Sequence, residues 1–367
     1  MGEKFYHIKH LVDLHPDAHY YVVYGKRSNG KTYSTLNEVV LTDYFANGAK
    51  FAYIRRWKED IKVKNMTQLF AGIANNGVIK KLSKNKWDDV IYNNRAFYLC
   101  KHKEDGTKIV DEYPFGFVFV LSEEEHDKGF EIPEIKNIVF DEFIARNMYL
   151  PDEFIAFTNV LSTIIRTRDG IRIFMLGNTI NRFCPYFGEM GLSNIKNQQI
   201  GTIDVYRYGD SGLKVVCEYS DAPEKKSKSD VYFAFNNPKL QMITKGSWEI
   251  AVYPHLTEEM RYLPKHVKYM YFIDFDDILL QCNIVKKDNM LFTYIHRKTT
   301  PIKPDNKYLV YSLRSNPKPN YRRNFTSSFT YVEKLIVEMF KKDKVFYQSN
   351  DIGDVVRNFI NVSRSNM

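Results

Sequence analysis

The sequence predicts an α/β fold built on a mainly parallel sheet. In the first half of the chain, apolar β-prone runs alternate with runs of helical spacing: a strand at residues 20–24, a helix at about 36–47, and a strand at 50–58. Further on, strands at residues 137–143 and 171–178 flank another helical run. Strands that alternate with helices pair in parallel, because each helix carries the chain back to the same end of the sheet.

The bulk composition indicates a globular protein with an acidic partner. Its 367 residues are 44% hydrophobic and 26% charged, which is enough for two domains with sizeable cores. The net charge of +9 points first to nucleic acid, although a solvated basic surface would give the same excess. No apolar run approaches membrane-spanning length and the amino terminus lacks a signal-peptide core, so we expect a soluble intracellular protein without a membrane partner.

The chain is organised around the loop between the first strand and the first helix. It reads GKRSNGKT from Gly25 to Thr32, the G-x-x-x-x-G-K-[ST] pattern of a phosphate-binding P-loop. The glycines let backbone N–H groups approach the phosphates, Lys31 would reach the β- and γ-phosphates of ATP, and the Thr32 hydroxyl would hold Mg²⁺. The predicted nucleotide-binding residues are Gly25, Lys26, Arg27, Ser28, Asn29, Gly30, Lys31, Thr32 and Tyr33.

Two acids at the end of the strand 137–143 supply the second half of the site. Asp141 fits a Walker B aspartate that binds Mg²⁺, and Glu142 is placed to polarise the attacking water. Phosphoryl transfer needs both a positioned metal and a group that orients the nucleophile. The sequence therefore predicts an ATPase, with Lys31 and Glu142 as catalytic groups and Thr32 and Asp141 as metal ligands.

Three arginines are candidates for stabilising charge in the transition state. Arg166 and Arg168 follow a helical run, where they either cap the helix dipole or act as an arginine finger in a neighbouring subunit's site. The sequence pattern leaves the choice between these two open. Arg27, inside the P-loop, is a candidate within the same subunit.

Other polar residues at strand ends are candidates for coupling and for intermolecular contacts. Asn178 ends the strand 171–178 and could sense the γ-phosphate, or could be a plain strand-end turn. Arg55, Arg56 and Lys58 follow the second strand. They could act on a neighbouring nucleotide site, contact nucleic-acid phosphates, or form a solvated strand end, and Arg168 is a further candidate for either contact.

Together these motifs resemble the DNA-packaging ATPases of phi-29-like phages, a branch related to the large terminases. The resemblance rests on GKRSNGKT, YIRRWK, IVFDEFI, IIRTR and FMLGNT in this order and spacing, and it covers residue 20 to about 185 well and the remainder loosely. It matches Arg27 to the P-loop arginine, Arg166 to the finger acting on a neighbour, and Asn178 to the coupling motif. Added residues around 101–111 and in the tail depart from the shortest members.

The resemblance implies an ATP-driven ring, suspected to have five subunits, that docks on the portal of an empty prohead and moves double-stranded DNA inward. A structural packaging RNA is a further expected partner, and the expected location is the host cytoplasm and transiently the portal vertex. Three alternatives compete with this interpretation. They are another P-loop helicase or translocase, a nucleic-acid-binding ring component that does not hydrolyse ATP, and a metabolite kinase, which the basic tail does not support.

We predict three segments along the chain. Residues 1–205 form an additional-strand (ASCE-type) P-loop ATPase domain, 206–262 a linker region with its most polar stretch at 221–230, and 263–367 a basic nucleic-acid-binding domain. The last segment begins with a β-meander that carries Asp274, Asp276 and Asp277. We interpret these acids as the solvated face of a hairpin and not as the metal ligands of a two-metal nuclease. The resemblance implies that this domain is a shrunken, α+β RNase H-like domain without nuclease activity.

Overall fold

The computed structural model describes residues 5–123, 132, 134–145, 149–179, 181, 183–221, 252–325 and 330–365. The chain divides into two units, Met1–Arg146 with Asp152–Glu249, and Asn147–Pro151 with Ile250–Met367. Each unit is built on its own sheet. Among the described residues, none of the helices combines the length and the apolar character that crossing a membrane requires.

The first unit contains the predicted parallel sheet. Its described strands are β1 Tyr20–Gly25, β2 Lys50–Arg55, β3 Asp89–Asn93, β4 Ala96–His102, β5 Lys108–Val110, β6 Gly116–Val120, β7 Ile135–Asp141, β8 Arg172–Asn178, β9 Ile203–Tyr208 and β10 Leu213–Ser220. They lie in the order β3-β4-β6-β2-β7-β8-β1-β10-β9, and β5 pairs with β4. The central strands from β6 to β10 are paired in parallel, which confirms the predicted fold class.

Strand β1 lies inside the sheet and carries the P-loop at its carboxyl end. Tyr21, Val22, Val23 and Tyr24 have no exposed surface, as expected of a parallel strand that is covered on both faces. Since β1 pairs in parallel with β8 on one side and β10 on the other, three strand ends meet at the loop.

The helices of the first unit alternate with these strands. The helix after the P-loop has α-helical turns at Lys31–Ser34 and Thr42–Asn47 that enclose a π-helical segment, Thr35–Leu41. In a π-helical segment the backbone hydrogen bonds span one residue more than in an α-helix, which leaves the spacing of the apolar residues almost unchanged. The sequence therefore predicted only a helix. The other helices are Lys9–Leu14, Val63–Gln68, Ala71–Asn75, Val78–Leu82, Glu153–Ile165 and Pro185–Glu189, with short 3₁₀ turns at Lys58–Ile61 and Gly209–Ser211.

The predicted boundary of the ATPase domain at residue 205 is wrong. The hairpin β9–β10 forms as expected, but all six residues of β1 pair in parallel with β10, which therefore belongs to the main sheet and not to a linker. Pairing that joins residues nearly 200 positions apart leaves no local pattern in the sequence, whereas the hairpin itself does. Residues 222–230 of the predicted charged linker lie outside the described residues.

The second unit has a smaller sheet with both orientations. Its described strands are β11 Val267–Phe275, β12 Ile278–Lys287, β13 Met290–Arg297, β14 Val310–Ser312, β15 Tyr321–Arg322 and β16 Val345–Tyr347, in the order β15-β14-β11-β12-β13-β16. Strands β11 to β13 form the predicted antiparallel meander, and the shorter strands join it in parallel. Its helices are Tyr331–Lys341 and Asn350–Ser365, with 3₁₀ turns at Glu258–Met260 and Pro264–His266.

Two local predictions for the second unit are confirmed. Asp276 and Asp277 form the tight turn between β11 and β12, with φ angles of 53° and 58°, a conformation that aspartate tolerates better than most residues. The helix predicted to begin at Thr330 begins one residue later, because Thr330 caps it. The Thr330 Oγ1 accepts from the Glu333 backbone N–H at 3.2 Å, and the Glu333 carboxylate accepts from the Thr330 N–H at 2.7 Å.

Candidate functional site: a P-loop cavity

The P-loop curls back on itself at the carboxyl end of β1. Gly30 adopts a left-handed conformation with φ 96°, and the helix begins at the next residue. The Lys31 ammonium donates to the Lys26 carbonyl oxygen at 2.8 Å and to Asn29 Oδ1 at 2.9 Å. The lysine therefore folds back over its own loop, towards the place where the helix N-terminus and the loop amides attract phosphate.

Ser220, at the end of β10, supports the base of the loop. Its Oγ accepts from Asn29 Nδ2 at 3.0 Å and donates to the Tyr24 carbonyl oxygen at 3.1 Å. A Cβ at Gly25 would lie 2.3 Å from Ser220 Oγ and 2.7 Å from its carbonyl oxygen, so only glycine fits there. The sequence had assigned Ser220 to a linker region, and no local signal marks it as part of the site.

The Lys31 ammonium is buried in the site and surrounded by oxygen atoms. In addition to its loop contacts, it lies 3.4 Å from Oδ1 of Asn178, which ends β8 beside Gly25. Burial lowers the pKa of Lys31 to about 7, and the charge of Asp141 opposes this shift. The anionic oxygens of a triphosphate would favour the charged form, and Asn178 lies where it can contact the same group.

Thr32 and Asp141 meet across the cavity as the metal prediction requires. The Thr32 hydroxyl is 3.1 Å from each Asp141 carboxylate oxygen, and the Tyr53 hydroxyl donates to Asp141 Oδ2 at 2.8 Å. Burial raises the pKa of Asp141, and the nearby charge of Arg55 acts in the opposite direction. A hydroxyl and a carboxylate in this arrangement suit Mg²⁺, which uses one or two protein oxygen ligands and completes its shell with phosphate and water. Tyr53 was not predicted from the sequence.

Glu142 lies at a strained turn beside the cavity. It is exposed and has φ 61°, which is uncommon for a residue other than glycine, and its N–H donates to Asp141 Oδ1 at 3.1 Å. The Arg55 guanidinium donates to Glu142 Oε2 at 2.8 Å and also pairs with Asp60 at 3.3 Å. Arg55 was predicted to reach DNA or a neighbouring subunit, but here it pairs with the catalytic candidate of its own subunit.

Arg56 supports the turn that carries Glu142. Its Nε donates to both carboxylate oxygens of Glu153, at 2.9 and 2.8 Å, and its two terminal nitrogens donate to the carbonyl oxygens of Glu142, at 3.1 Å, and Phe143, at 2.7 Å. Tyr186 also donates to Glu153, at 2.8 Å. Arg56 is 5% exposed, so its prediction as a contact for DNA or a neighbour is wrong. Its partner Glu153 is 97 positions away, which the sequence does not reveal.

We expect Arg56→Met to lower the free energy of unfolding by about 3–5 kcal/mol, because it leaves the Glu153 carboxylate buried without its partner. Urea unfolding of the full chain measures this loss. The matched control is Arg261→Met, since Arg261 and Glu258 form an exposed pair worth at most about 1 kcal/mol. Equal losses for the two variants would contradict the supporting role of Arg56.

The remaining basic candidates differ in what their side chains contact. Lys58 is largely exposed and pairs with Glu123 at 2.7 Å, as a solvated strand end does. Arg168 donates to the carbonyl oxygens of Ile164, Ile135 and Ile165, the last two at 2.9 and 3.3 Å. Arg168 therefore caps the helix Glu153–Ile165, which is one of the two roles that the sequence left open, and its part as a finger or DNA contact stays a prediction.

Arg166 is exposed and lies at the opposite edge of the sheet from its own P-loop. Arg166 follows the helix Glu153–Ile165, which precedes β8. The neighbouring Arg168 contacts the carbonyl oxygen of Ile135, the first residue of β7. Asp141, at the P-loop cavity, is the last residue of the same strand. Six residue steps along a strand span about 20 Å, more than an arginine side chain reaches. Arg166 therefore cannot serve its own subunit's cavity in this conformation.

The predicted P-loop residues from Arg27 to Tyr33 line one cavity of about 310 Å³ together with Asp141, Glu142 and Asn178. Gly25 and Lys26 form the loop beneath it, and Arg27 is exposed at its wall. The lining residues are Arg27, Ser28, Asn29, Gly30, Lys31, Thr32, Tyr33, Asp141, Glu142, Leu176, Gly177 and Asn178.

This cavity, at the carboxyl end of an inner strand of a parallel sheet, defines a P-loop nucleotide-binding protein. The chain belongs to the Podovirus DNA encapsidation protein (Gp16) family, whose model matches residues 3–206. The resemblance predicted from the motifs is confirmed.

Curated relatives match about half of the chain. The DNA packaging proteins of Bacillus phages PZA and phi29 are each 27% identical over 186 residues, which is 50% of this chain and 49% of theirs. The DNA packaging protein of Bacillus phage B103 is 28% identical over 174 residues, 46% of this chain and 47% of its own. The matched region therefore spans about half the length of these relatives.

Two solved structures share the fold over nearly the whole chain. The Phi-28 gp11 DNA packaging motor superposes with a TM-score of 0.53 at 19% identity, covering 99% of each chain. The bacteriophage Phi-29 viral genome packaging motor assembly gives 0.55 at 18% identity, covering 97% of this chain and 100% of that one. At these identities the likeness shows the fold.

Proposed function

We propose that this protein is an ATP-hydrolysing motor that moves double-stranded viral DNA into a preformed capsid through the portal. The observation that carries the proposal is the cavity in which Lys31, Thr32, Asp141 and Glu142 converge, in a chain of the DNA encapsidation family. The net charge of +9 suits a polyanionic partner.

In this proposal each side chain has a separate task in phosphoryl transfer. Lys31 and the loop amides bind the β- and γ-phosphates, and Glu142 orients the attacking water. Thr32 and Asp141 would hold Mg²⁺, which supplies charge neutralisation at the phosphate oxygens. Tyr53 keeps the Asp141 carboxylate in position, and Arg27 and Asn178 are the remaining side chains able to contact the γ-phosphate.

The Arg55–Glu142 pair bears on how hydrolysis is timed. The Glu142 carboxylate accepts a hydrogen bond from the Arg55 guanidinium at 2.8 Å. The same guanidinium also pairs with Asp60. Orienting a water on the γ-phosphate requires Glu142 to loosen this pair. In the proposed cycle, triphosphate binding in the adjoining P-loop favours the released form.

The proposed working form is a ring of identical subunits, with five as the suspected number, acting in the host cytoplasm and transiently at the portal vertex. Because Arg166 is exposed and cannot reach its own cavity, we propose that it completes the site of a neighbour. The portal protein and a structural packaging RNA are the other proposed partners. The second unit is the proposed RNase H-like domain, and its meander flanked by short parallel strands supports that fold. The absence of nuclease activity is part of the same proposal.

The proposal is tested by measuring phosphate release with and without double-stranded DNA, and then nuclease protection of DNA in the presence of proheads. We expect ATP turnover that DNA stimulates, together with protection that requires both ATP and proheads. ATP binding without phosphate release would instead select the ring component that does not hydrolyse. Strand separation at a fork, with no protection by proheads, would select a helicase.

Mixing two inactive variants tests whether Arg166 acts across an interface. We expect Arg166→Ala and Glu142→Gln subunits to regain turnover when mixed, since about a quarter of the interfaces then pair an intact Glu142 with an intact neighbouring Arg166. The matched control mixes Lys31→Met with Glu142→Gln, because both side chains belong to one cavity and no interface restores the site. Rescue in the control, or none in the test mixture, contradicts the assignment.

A further inference from the structure

We propose that one face of the second unit's meander binds single-stranded nucleic acid by stacking and reading unpaired bases. This face, called here the amide face, consists of Met270 on β11, Gln281 and Asn283 on β12, and Tyr294 and His296 on β13. The inference rests on the proposed nucleic-acid function and deepens it, because it names a surface for unpaired strands in addition to the translocated duplex.

The two faces of the meander differ in chemistry. On the core face, Tyr271, Ile273, Leu280, Cys282 and Ile295 have no exposed surface. Side chains alternate along a strand, so the intervening residues form the other face, of which one end is packed with the buried Val285 and Phe292 and the rest is polar or aromatic. On that face the register places Met270 opposite Asn283 and Asn283 opposite Tyr294, with Gln281 opposite His296 in the next row.

An open groove runs along the amide face. Its volume is about 590 Å³, within the range of clefts that hold small organic ligands. Tyr262 and Tyr308 contribute to its walls, and Lys268, Met270, Gln281 and Asn283 also line it.

Hydrogen bonds hold the two carboxamides of the groove in fixed positions. Asn283 Nδ2 donates to the Tyr262 hydroxyl at 2.9 Å, and Gln281 Nε2 donates to Asn283 Oδ1 at 3.1 Å. Both amide nitrogens are engaged, since Gln281 Nε2 also lies 3.4 Å from Met270 Sδ and the buried Asn283 Nδ2 lies 3.3 Å from His296 Nε2. Gln281 Oε1 has no partner among the described residues, so it is the acceptor that can pair with an amino group on the edge of a base. Such edges are accessible when bases are unpaired.

Aromatic rings beside the carboxamides provide stacking surfaces. The Tyr294 and His296 rings lie 5.6 Å apart with planes at 28°, and the Tyr262 ring meets Tyr294 edge-on at 6.1 Å. Tyr308 is 39% exposed at the groove wall. Stacking on such rings requires a free base face, which a duplex does not offer.

Charge around the groove favours a polyanion over a neutral occupant. Residues 252–325 contain 13 Lys/Arg and 7 Asp/Glu, a net of +6. Lys268 is an exposed lining residue, and the Lys298 ammonium lies 6.0 Å from the centre of the Phe272 ring. Lysines at the rim can thus meet the phosphates while the rings and carboxamides meet the bases.

The proposal is tested by measuring, through fluorescence anisotropy, the affinity of the full chain for labelled nucleic acids in the absence of ATP. The ligands are RNA and DNA single strands of about ten nucleotides, a typical site size, and a DNA duplex of the same length. We expect both strands to bind through the amide face, whereas binding of the duplex, which the proposed motor also contacts, should not depend on that face. Tyr308→Leu, which changes an exposed ring at the groove wall, should weaken strand binding by about tenfold. Lys268→Ala should reduce the slope of log K against log salt by about 0.7. A preference for the RNA strand would show that the 2′-hydroxyls are read, and equal binding would show recognition through bases and phosphates alone.

The matched controls are Tyr331→Leu and Lys334→Ala on the exposed surface of the helix Tyr331–Lys341, and both should leave binding unchanged. Thermal melting identifies any variant that fails to fold, and Lys268→Ala changes only an exposed side chain. A loss of duplex binding by Tyr308→Leu as large as its loss of strand binding, or equal losses in the control variants, would overturn the proposal. Because Lys31→Met should keep the strand affinity while losing turnover, failure of this inference and failure of the ATPase proposal are distinguishable.

Discussion

Glu142→Gln is expected to bind ATP normally and to lose ATP turnover by about 10²- to 10⁴-fold, the usual contribution of a general base. Glutamine has nearly the same shape and can still accept a hydrogen bond from Arg55, so the turn and the cavity should be preserved. What is lost is the negative charge that draws a proton from the attacking water. The effect should therefore appear in the rate of phosphate release and not in nucleotide affinity.

Single-turnover phosphate release and binding of a fluorescent ATP analogue separate these two quantities for Glu142→Gln. The matched control is Glu258→Gln, a glutamate that is also exposed and also paired with an arginine, Arg261, but lies in the second unit. Its turnover should equal that of the wild type. If Glu142→Gln retained turnover within about tenfold of the wild type, below the range for a general base, another group would have to orient the water.

Lys31→Met is expected to reduce turnover by at least about 10²- to 10³-fold and to weaken ATP binding as well, because the ammonium contacts phosphate in both the ground state and the transition state. Methionine preserves the buried stem of the side chain, which is only 6% exposed. It removes the donor that links Lys26, Asn29 and Asn178 around the cavity.

The control for Lys31→Met is Lys214→Met, because Lys214 is equally buried, at 4% exposed, and pairs with Asp17 away from the P-loop. Both variants remove a buried ammonium, so a comparable loss of stability in urea unfolding is expected. Only Lys31→Met should lose turnover at a temperature where both are folded. Full turnover by Lys31→Met would reject the assignment of this cavity as the ATPase site.

The parts of the site that the sequence predicts are those encoded locally. The P-loop follows its strand directly, and Asp141 and Glu142 stand at the end of another apolar strand. The same short stretch of sequence therefore showed both the functional side chains and their position at the end of a strand. Since carboxyl ends of parallel strands meet at one edge of a sheet, Asn178 also lies at the cavity, 3.4 Å from Lys31, and its sensing role stays a prediction.

The parts that the sequence misses depend on partners far along the chain. Arg55 and Arg56 look alike in the sequence, yet one pairs with Glu142 beside the cavity and the other is buried against Glu153. Their different roles follow from the alternation of side chains along and beyond β2, together with contacts about 90 positions away. Arg168 is likewise distinguished from Arg166 by its contact with the Ile135 carbonyl oxygen, which only the folded chain brings within reach.

The position of β10 determines where the first unit can be cut. The family match ends at residue 206, and a fragment ending there would lack all of β10. One side of β1 would then carry six unpaired residues, forming an edge of the kind that recruits strands from other molecules. The same cut removes the Ser220 hydroxyl from beneath the P-loop. A well-behaved catalytic fragment therefore has to extend at least to Ser220, and a shorter one invites aggregation that could be mistaken for ring assembly.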